Sequence, residues 1–526
     1  MSRASGTTRR ELLRGAAGLG ACWLLHPAAR ALGAGPPGRP RFIAPPFALG
    51  VASGYPTPEG FTLWTRLAPA PFDEDGGMAD AVVSVRWQVA EDERFERVVG
   101  EGTQLARAAL AHSLHVDVSG LRPARGYWYR FLAGDETSPL GRTRTAPAAG
   151  TAPRSLALAF ASCQDYEHGY YAAYRHMREE DLDLVVFLGD YIYEDTWGSA
   201  LVRRHAPAGE SRTLADYRIR HAQYKTDPDL QAMHAALPWI CTWDDHEVSN
   251  DYADDRSERL EPDFLARRAA AYQAYFEHMP LPPRMAPVGP SAQIYTSVDF
   301  GTLARFYVLD DRQYRSHQVC PKPGRGGSNV VGPECKELED PSLTLLGAAQ
   351  EAWLAARLGD SAARWNVIAQ QSLMCQFDNQ LGPGETVWTD AWSGYPAARR
   401  RLLEALLHAR TRNPLVIGGD IHANVVGNLH LDPRDASSPR VAAEVCGTSI
   451  SSEGRSTASF WGPLLADNPH LLFADGDRRG YATVRIDAKG CRIALRVLDD
   501  VRRRDSAIST AASFAVDDGR PGIRKA

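Results

Sequence analysis

Surplus basic charge, internal repeats, low-complexity tracts and long apolar runs are what this 526-residue chain lacks. Its 59 Lys and Arg are outnumbered by 64 Asp and Glu, and the net charge of −5 argues against a surface that coats nucleic acid. Nucleic acid gripped locally stays open as a substrate, but no stable complex is expected. Without biased tracts, a composition of 44% apolar and 23% charged residues is that of an ordinary globular protein. The apolar segment Ala16–Leu25 is too short for an ordinary membrane span. At this length the chain has material for a large core and more than one domain.

The first residues read as an address rather than as fold. Thr8-Arg9-Arg10-Glu11-Leu12-Leu13-Arg14 looks like a twin-arginine export signal, followed by the apolar segment and by Ala29-Arg30-Ala31, a small-x-small cleavage site. Removal of residues 1–31 leaves 54 basic and 63 acidic residues, a net charge of −9. Leu19-Gly-Ala-Cys22 has lipobox spacing, but apolar residues continue past Cys22, which argues against lipid anchoring. The expected destination is the periplasm or the exterior, reached through the twin-arginine machinery, with no membrane span left after processing. In that oxidising setting Cys320 and Cys335, which flank the Gly/Pro-rich segment Pro321–Pro333, are expected to bridge. Closing a loop of that size contributes about 3 kcal/mol. Cys241, Cys375, Cys446 and Cys491 lie in apolar runs and read as core.

Residues 42–148 read as all-β. Val83-x-Val85-x-Trp87-x-Val89 and Leu114-x-Val116-x-Val118 alternate with polar residues, the mark of half-buried strands. Leu121 to Phe131, with Tyr127 at its corner, resembles the turn and following strand of fibronectin type III or immunoglobulin-like sandwiches. A linker, Thr145–Pro153, leads into residues 154–500, where the pattern changes. Apolar strands (Leu156–Ala161, Leu182–Leu188, Leu303–Leu309, Trp365–Ala369, Leu415–Ile417) alternate with helical stretches at Tyr170–Glu180, Ala348–Leu358 and Ala397–Ala409. Strands apolar on both faces imply an α/β domain whose sheet is covered by helices. Tyr481–Ile486 and Cys491–Val497 read as a hairpin around Lys489-Gly490, and the tail after Asp500 as a polar, frayed end.

Four segments end apolar runs with chemistry-bearing residues. Phe160-Ala-Ser-Cys163 offers a thiol, which by itself reads as structural. Gly189-Asp190-Tyr-Ile-Tyr193 places a carboxylate where α/β sheets hold ligands, with a phenol three residues on; both tyrosines are otherwise packing aromatics. Asp244-Asp245-His246-Glu247-Val-Ser-Asn250-Asp251 is an acid-rich loop of the kind that is most often solvated or caps a helix. In Gly418-Gly419-Asp420-Ile421-His422, strand alternation would aim Asp420 and His422 to one side. Each is weak alone; together they suggest one metal site assembled from distant parts of the chain.

With these segments the chain resembles the PhoD-like alkaline phosphatases of the metallophosphoesterase (calcineurin-like) superfamily, nearly end to end. Leu309-Asp-Asp-Arg312-Gln-Tyr314-Arg315, Leu346-Gly-x-x-Gln350-x-x-Trp353-Leu354 and Arg479-Gly-Tyr481 match as well. The superfamily's usual Asp-x-His is replaced by Cys163, a departure characteristic of this narrower group. The resemblance implies a metallophosphoesterase-type sheet sandwich covered by helices, preceded by the all-β domain. It also implies ferric iron held by Cys163, Asp190, Tyr193 and His422. Asp190 would bridge to calcium, with Asp245 or Asn250 and Asp420 completing that side. Ligand chemistry agrees: thiolate and phenolate suit iron, and calcium takes oxygens, amides among them.

The expected activity is hydrolysis of phosphate monoesters, and of diesters as well, by a monomeric chain acting on a small phosphoester. Arg312 is expected either to contact phosphate with its two-pronged guanidinium or to be a surface charge or a partner of Asp310 or Asp311. His246 either donates a proton to the leaving group or orients a ligand. The nearest alternative is a phosphodiesterase of phospholipase D or teichoate-cleaving type with the same site. A further one, from another class, is a secreted calcium-binding protein without catalysis, against which Tyr193 and Cys163 argue.

Overall fold

The computed structural model describes residues 40–199, 201–435, 437–454 and 457–526. The export motif at Arg9 and Arg10, the segment Ala16–Leu25, Cys22 and the cleavage site at Ala31 lie outside the described residues. The chain is mixed α/β, with two large sheets. A ten-stranded sheet has, in its interior, the parallel neighbours Ser155–Ala161, Leu184–Leu188, Pro238–Thr242 and Val51–Thr57. A seven-stranded sheet has a parallel centre of Ala304–Val308, Trp365–Ala369, Pro414–Gly418 and Arg440–Cys446. Val186 and Phe160 of the first sheet share one apolar core with Val367 and Ile417 of the second. Burial on both faces is why Leu184–Leu188 holds only Leu, Val and Phe, and why Leu156–Ala161 holds only Leu, Ala and Phe.

Helices cover the other faces. Ala172–Glu179 buries Tyr174 and Met177, while Gly347–Gly359 and Pro396–His408 bury Leu354, Leu358, Leu402 and Leu406 in a second core. Their bounds lie within a few residues of those read from periodicity. Helix Leu214–Lys225 was not legible that way. It starts in a capping box, Thr213 Oγ1 accepting from Asp216 N–H (3.2 Å) and Asp216 accepting from Thr213 N–H (2.8 Å). Because it buries Arg220, His221, Gln223 and Lys225 along with its tyrosines, no clean apolar stripe marks it.

Residues 42–148 pack a core of their own, with Val85, Val89, Tyr129 and Phe131 against Phe61, Leu63, Val116 and Val118. Tyr127 ties back to the upstream backbone as expected, its hydroxyl accepting from Arg122 N–H (3.0 Å) and donating to Arg122 C=O (3.2 Å). One face of this region is not a separate sheet, however. Val51–Thr57, Gly60–Arg66 and Ser113–Val118 extend the ten-stranded sheet, with Val51–Thr57 parallel to Pro238–Thr242. Cys320 and Cys335 form a disulfide, and Cys163, Cys241, Cys375, Cys446 and Cys491 are buried and free. Among the described residues no helix is long and apolar enough to cross a membrane.

The frayed tail is a correction. Ile508–Asp517 pairs antiparallel with Gly490–Leu498, and Arg524–Lys525 pairs with it in turn. Period-2 burial of Phe514 and Val516, with Ile523 beside them, outweighs the polar residues between. Phe514→Ala should therefore lower unfolding stability by about 3 kcal/mol, the cost of emptying a core aromatic site. Chemical denaturation checks this; a loss below about 1 kcal/mol would return the segment to the surface.

Candidate metal centre

Three site segments follow parallel neighbours in one sheet, Ser155–Ala161, Leu184–Leu188 and Pro238–Thr242, so their carboxyl ends open on the same edge. The fourth follows Pro414–Gly418 of the facing sheet. The loops lock together through backbone contacts that leave no room for side chains. Cys163 N–H donates to Gly189 C=O (3.1 Å) and Gln164 N–H to Asp190 C=O (3.0 Å). A Cβ at Gly189, whose φ is +108°, would sit 2.4 Å from Asp244 Cβ. Glu247 fastens the second and third loops by accepting N–H groups from Asp190 (3.1 Å), Tyr191 (2.5 Å) and Asp244 (2.8 Å).

Cys163, Asp190, Asp420 and His422 all have left-handed backbone, with φ of 58°, 55°, 66° and 53°. For non-glycine residues this costs on the order of 1 kcal/mol each, and such positions gather at functional sites. The alternation expected for Asp420 and His422 is thus corrected. Their strand ends at Gly418, and a left-handed bend aims them instead.

The structure brings the expected residues together. Ligating atoms of Cys163, Asp190 and His422 lie within 4.8 Å of one another, and so do those of Asp190, Asp245 and His246. Asp190 is common to both groups. Tyr193 joins the first: its hydroxyl donates to Asp190 Oδ2 (3.0 Å) and lies 3.0 Å from His422 Nε2. His422 Nδ1 meets Glu453 C=O at 2.8 Å, a contact that puts its proton there and leaves Nε2 with a free lone pair facing the group. Asp420 accepts from Ser372 Oγ (2.6 Å). Asp190, Tyr193, Asp245, His246, Asn250, Asp420 and His422 all line one pocket of about 990 Å³.

Too many acids meet here for all to ionise unaided. Burial first, and then the neighbouring carboxylates, push Asp190 and Asp420 well above the ordinary carboxylate range. Burial raises Asp244 to about 6 against the pull of Arg312. Burial and the Asp190 charge push the Cys163 thiol up as well. Asp244 Oδ2 and Asp245 Oδ1 are buried with no hydrogen-bond partner. A cation in this cradle would relieve each of these strains, so the donor set fits a metal.

Arg312 is placed differently from either expectation. It is 1% exposed, donates to Asp244 (2.5 Å) and Asp390 (2.8 Å), and lies 3.6 Å from Asp245. Its guanidinium is neither a surface charge nor a partner of the Asp310 or Asp311 carboxylates, and it lies outside the pocket lining. With its fork engaged in this way, it ties the acidic loop to Asp390. His246 Nδ1 sits 2.7 Å from Glu194, which also accepts from Asn250 N–H (2.8 Å). Although burial opposes its charge, the adjacent imidazolium and Arg267 hold Glu194 down, at about 2.

Glu194, Asp390 and Ser452 were not singled out from sequence, and Glu247 was read only as one member of the acid-rich loop. Glu194 is the residue after Tyr193, and Ser452 sits in the polar run behind the apolar strand Arg440–Cys446. Asp390 carries no such signal. Ser452 Oγ donates to the Tyr193 hydroxyl (2.7 Å), and Arg479 Nη1 donates to His422 C=O (2.6 Å).

Comparison with known proteins decides the family. The PhoD-like phosphatase family model matches residues 158–495, and that of its N-terminal domain matches residues 33–147. The chain belongs to the PhoD-like phosphatases. Membership makes it a phosphoric ester hydrolase. Alkaline phosphatase D of Bacillus subtilis (strain 168) is 45% identical over 498 residues, 92% of this chain and 83% of the relative. A solved structure of PhoD aligns with a TM-score of 0.87 at 44% identity, covering 92% of this chain and 93% of its own. A family 2 β-glucuronidase, at 9% identity and a TM-score of 0.21 over 64% of this chain and 38% of its own, is too unlike to inform the reading.

Glu247→Ala would leave three buried N–H groups without an acceptor. We expect a loss of about 2–3 kcal/mol, since each such group forfeits its desolvation offset. Bound metal should fall with it, because Asp190 and Asp244 are no longer held in register. Denaturation and metal analysis on one preparation test this; unchanged values in both would remove Glu247 from the site's framework.

Proposed function

We propose that this chain is an exported, metal-dependent phosphatase that hydrolyses phosphate monoesters. Cys163, Asp190, Tyr193 and His422 hold ferric iron in this reading. Asp190 would also serve calcium, together with Asp420 and with Asp245 or Asn250, both of which line the pocket. The observation that carries it is the buried carboxylate Asp190, which belongs both to the group with Cys163 and His422 and to the group with Asp245 and His246. When bound, the two cations supply Lewis acidity that neutralises phosphoryl oxygens and acidifies water.

The chain's own residues do the rest. Left-handed turns at rigid strand ends hold the ligands in place before substrate arrives. His246, kept protonated by Glu194, Asp190 and Asp245, offers a proton to the leaving oxygen. Trp388, Phe377 and Ile421 keep one side of the pocket dry. The pocket's size beyond a lone phosphate favours, as a second reading, diesters whose other arm occupies that space. We further read the two-sheet core as a metallophosphoesterase-type sandwich and residues 42–148 as an immunoglobulin/fibronectin III-like module. Residues 1–31 are read as a twin-arginine signal leading to the periplasm or exterior.

Metal analysis of the exported protein, paired with turnover of nitrophenyl phosphate and its bis-ester, tests the whole reading. Iron, calcium and a visible phenolate-to-iron absorption are expected; a colourless protein fully active with zinc alone would overturn it. Cys163→Ser should deplete iron far more than Cys375→Ser or Cys446→Ser.

Asp190→Asn keeps the size but removes the charge that holds two cations together. We expect loss of both metals and a fall in kcat/KM worth at least ~3 kcal/mol, on the order of a hundred-fold. Asp195→Asn, whose carboxylate faces Arg259 at 3.5 Å, serves as the control and should match wild type. Near-normal metal content and turnover in Asp190→Asn would show that no dinuclear centre exists.

A further inference from the structure

Behind the catalytic pocket lies a second one, of about 640 Å³. One thin ribbon, Val330–Val331 paired with Val387–Trp388, separates the two. Directly opposed residues share a face, so Val330 and Trp388 line the catalytic pocket while Val331 and Val387 line the second. The Cys320–Cys335 disulfide closes the loop that carries the first of these strands.

The second pocket is built on the N-terminus of helix Pro396–His408, whose Pro396, Ala397, Arg399 and Arg400 line it. That terminus lacks what such an end needs. Tyr395 gives no side-chain cap, and no acid stands in the first turn. Pro396 has no N–H, and the N–H groups of Tyr395 and Arg399 are bonded to Trp392 and Tyr395 C=O, which leaves those of Ala397 and Ala398. With the helix dipole they make this the electropositive end, where a cation is disfavoured and an anion favoured. Yet Arg399 stands in it.

Arg399 is 3% exposed, and among the described residues its guanidinium has neither an ion pair nor a hydrogen bond. Its neighbours are otherwise engaged. Arg400 pairs with Glu404 (2.9 Å) and Arg434 with Glu385 (2.6 Å). Asp432 accepts the N–H of Arg434 (3.0 Å). Glu444, a buried acid whose field reaches Arg399, is taken up by N–H groups of Met374 (2.6 Å) and Cys375 (2.5 Å). Glu339, also on the lining, forms no ion pair with Arg399. A buried guanidinium with no direct ion pair is costly, and Arg399 lines a cavity where an anion would find both it and an uncapped helix end.

We propose that this pocket is a binding site for an oxyanion, held by the Arg399 guanidinium and the free N–H groups at the start of helix Pro396–His408. A tetrahedral oxyanion matches a guanidinium fork with two of its oxygens and has others for backbone N–H donors. The ligand is a free oxyanion or the phosphoryl head of a small ester. Val331, Val387, Leu338 and Pro333 would take the organic part of the latter.

Binding is measurable without turnover, so its failure and that of the phosphatase reading are separable. Calorimetry on the metal-loaded full chain should find one more oxyanion site in wild type than in Arg399→Gln, for inorganic sulfate and for phenylphosphonate alike. Affinity at that site should fall at least ten-fold in the variant, while binding at the catalytic centre persists in both. Sulfate about as tight as phenylphosphonate identifies a free oxyanion, and phenylphosphonate ten-fold tighter identifies an ester head; either supports the site. In chloride alone, Arg399→Gln should be at least as heat-stable as wild type. At matched ionic strength sulfate should raise the Tm of wild type more than that of the variant. A wild-type crystal soaked in selenate should show selenium beside Arg399, an arm that does not depend on the variant's folding. Equal stoichiometry and affinity in both proteins, or no selenium at Arg399 in a crystal that takes it up elsewhere, would overturn the proposal.

Discussion

Mutual repulsion among buried carboxylates governs this structure. Asp190, Asp244, Asp245, Asp390 and Asp420 are all at most 3% exposed, apart from Asp420, whose side chain opens on the pocket but feels the same fields. Two guanidiniums, Arg312 and Arg315, stand against them, and both reach Asp390. Uncompensated, a buried carboxylate protonates rather than stays charged, and the raised positions of Asp190, Asp244 and Asp420 show that pressure. Only divalent or trivalent charge placed among them lets all of these groups act as anions together. The fold keeps the repelling groups close through Glu247, Arg312 and the left-handed turns, each of which costs something by itself.

Rigid surroundings are what make that tolerable. The three parallel strand ends leave their loops little freedom, because the strands are buried where they lead into the loops and are hydrogen-bonded on both sides. Chain closure from far away adds to this. Ser452 reaches Tyr193, and Arg479 reaches the carbonyl of His422, so each ligand loop is held by a residue from another part of the chain. Supports of this kind orient ligands and are expected to matter nearly as much as the ligands themselves.

What could be read from sequence follows the same physics. Trp365–Ala369 was legible to the residue, because a strand buried on both faces declares itself through mostly apolar composition, broken here only by Asn366. That several chemistry-bearing segments end such runs was legible too, but the grouping of Cys163, Asp190, Tyr193 and His422 came from the family resemblance, since Cys163 alone reads as structural. The role of Arg312 was not, since its partners Asp244 and Asp390 lie 68 and 78 residues away. Nor was the entry of Val51–Thr57 into the large sheet, a long-range pairing that local alternation cannot announce. In the final strand, Ile508–Asp517, small and polar residues on the exposed face hid a buried alternation of Phe514 and Val516.

The disulfide loop shows how these constraints reach the pocket wall. Pro321–Pro333 has little apolar material of its own, so its closure by Cys320 and Cys335 removes freedom that packing could not. Its shape is then set by polar contacts to the acidic loop. Ser328 donates to Asp251 from both its N–H (3.0 Å) and its Oγ (2.5 Å), and Asn329 N–H donates to Thr389 Oγ1 (2.9 Å). Asp251 belongs to the same crowd, within 4.8 Å of Asp245 and Asp390, and burial with those two charges raises it to about 7. The wall that carries Lys322 and Arg325 past the pocket is therefore fastened to a carboxylate whose charge depends on its acidic neighbours. Positive charge brought among those acids favours the ionised form of Asp251, and an ionised acceptor binds Ser328 more strongly than a neutral one. A cation held among those acids would by this route also tighten the wall at Ser328.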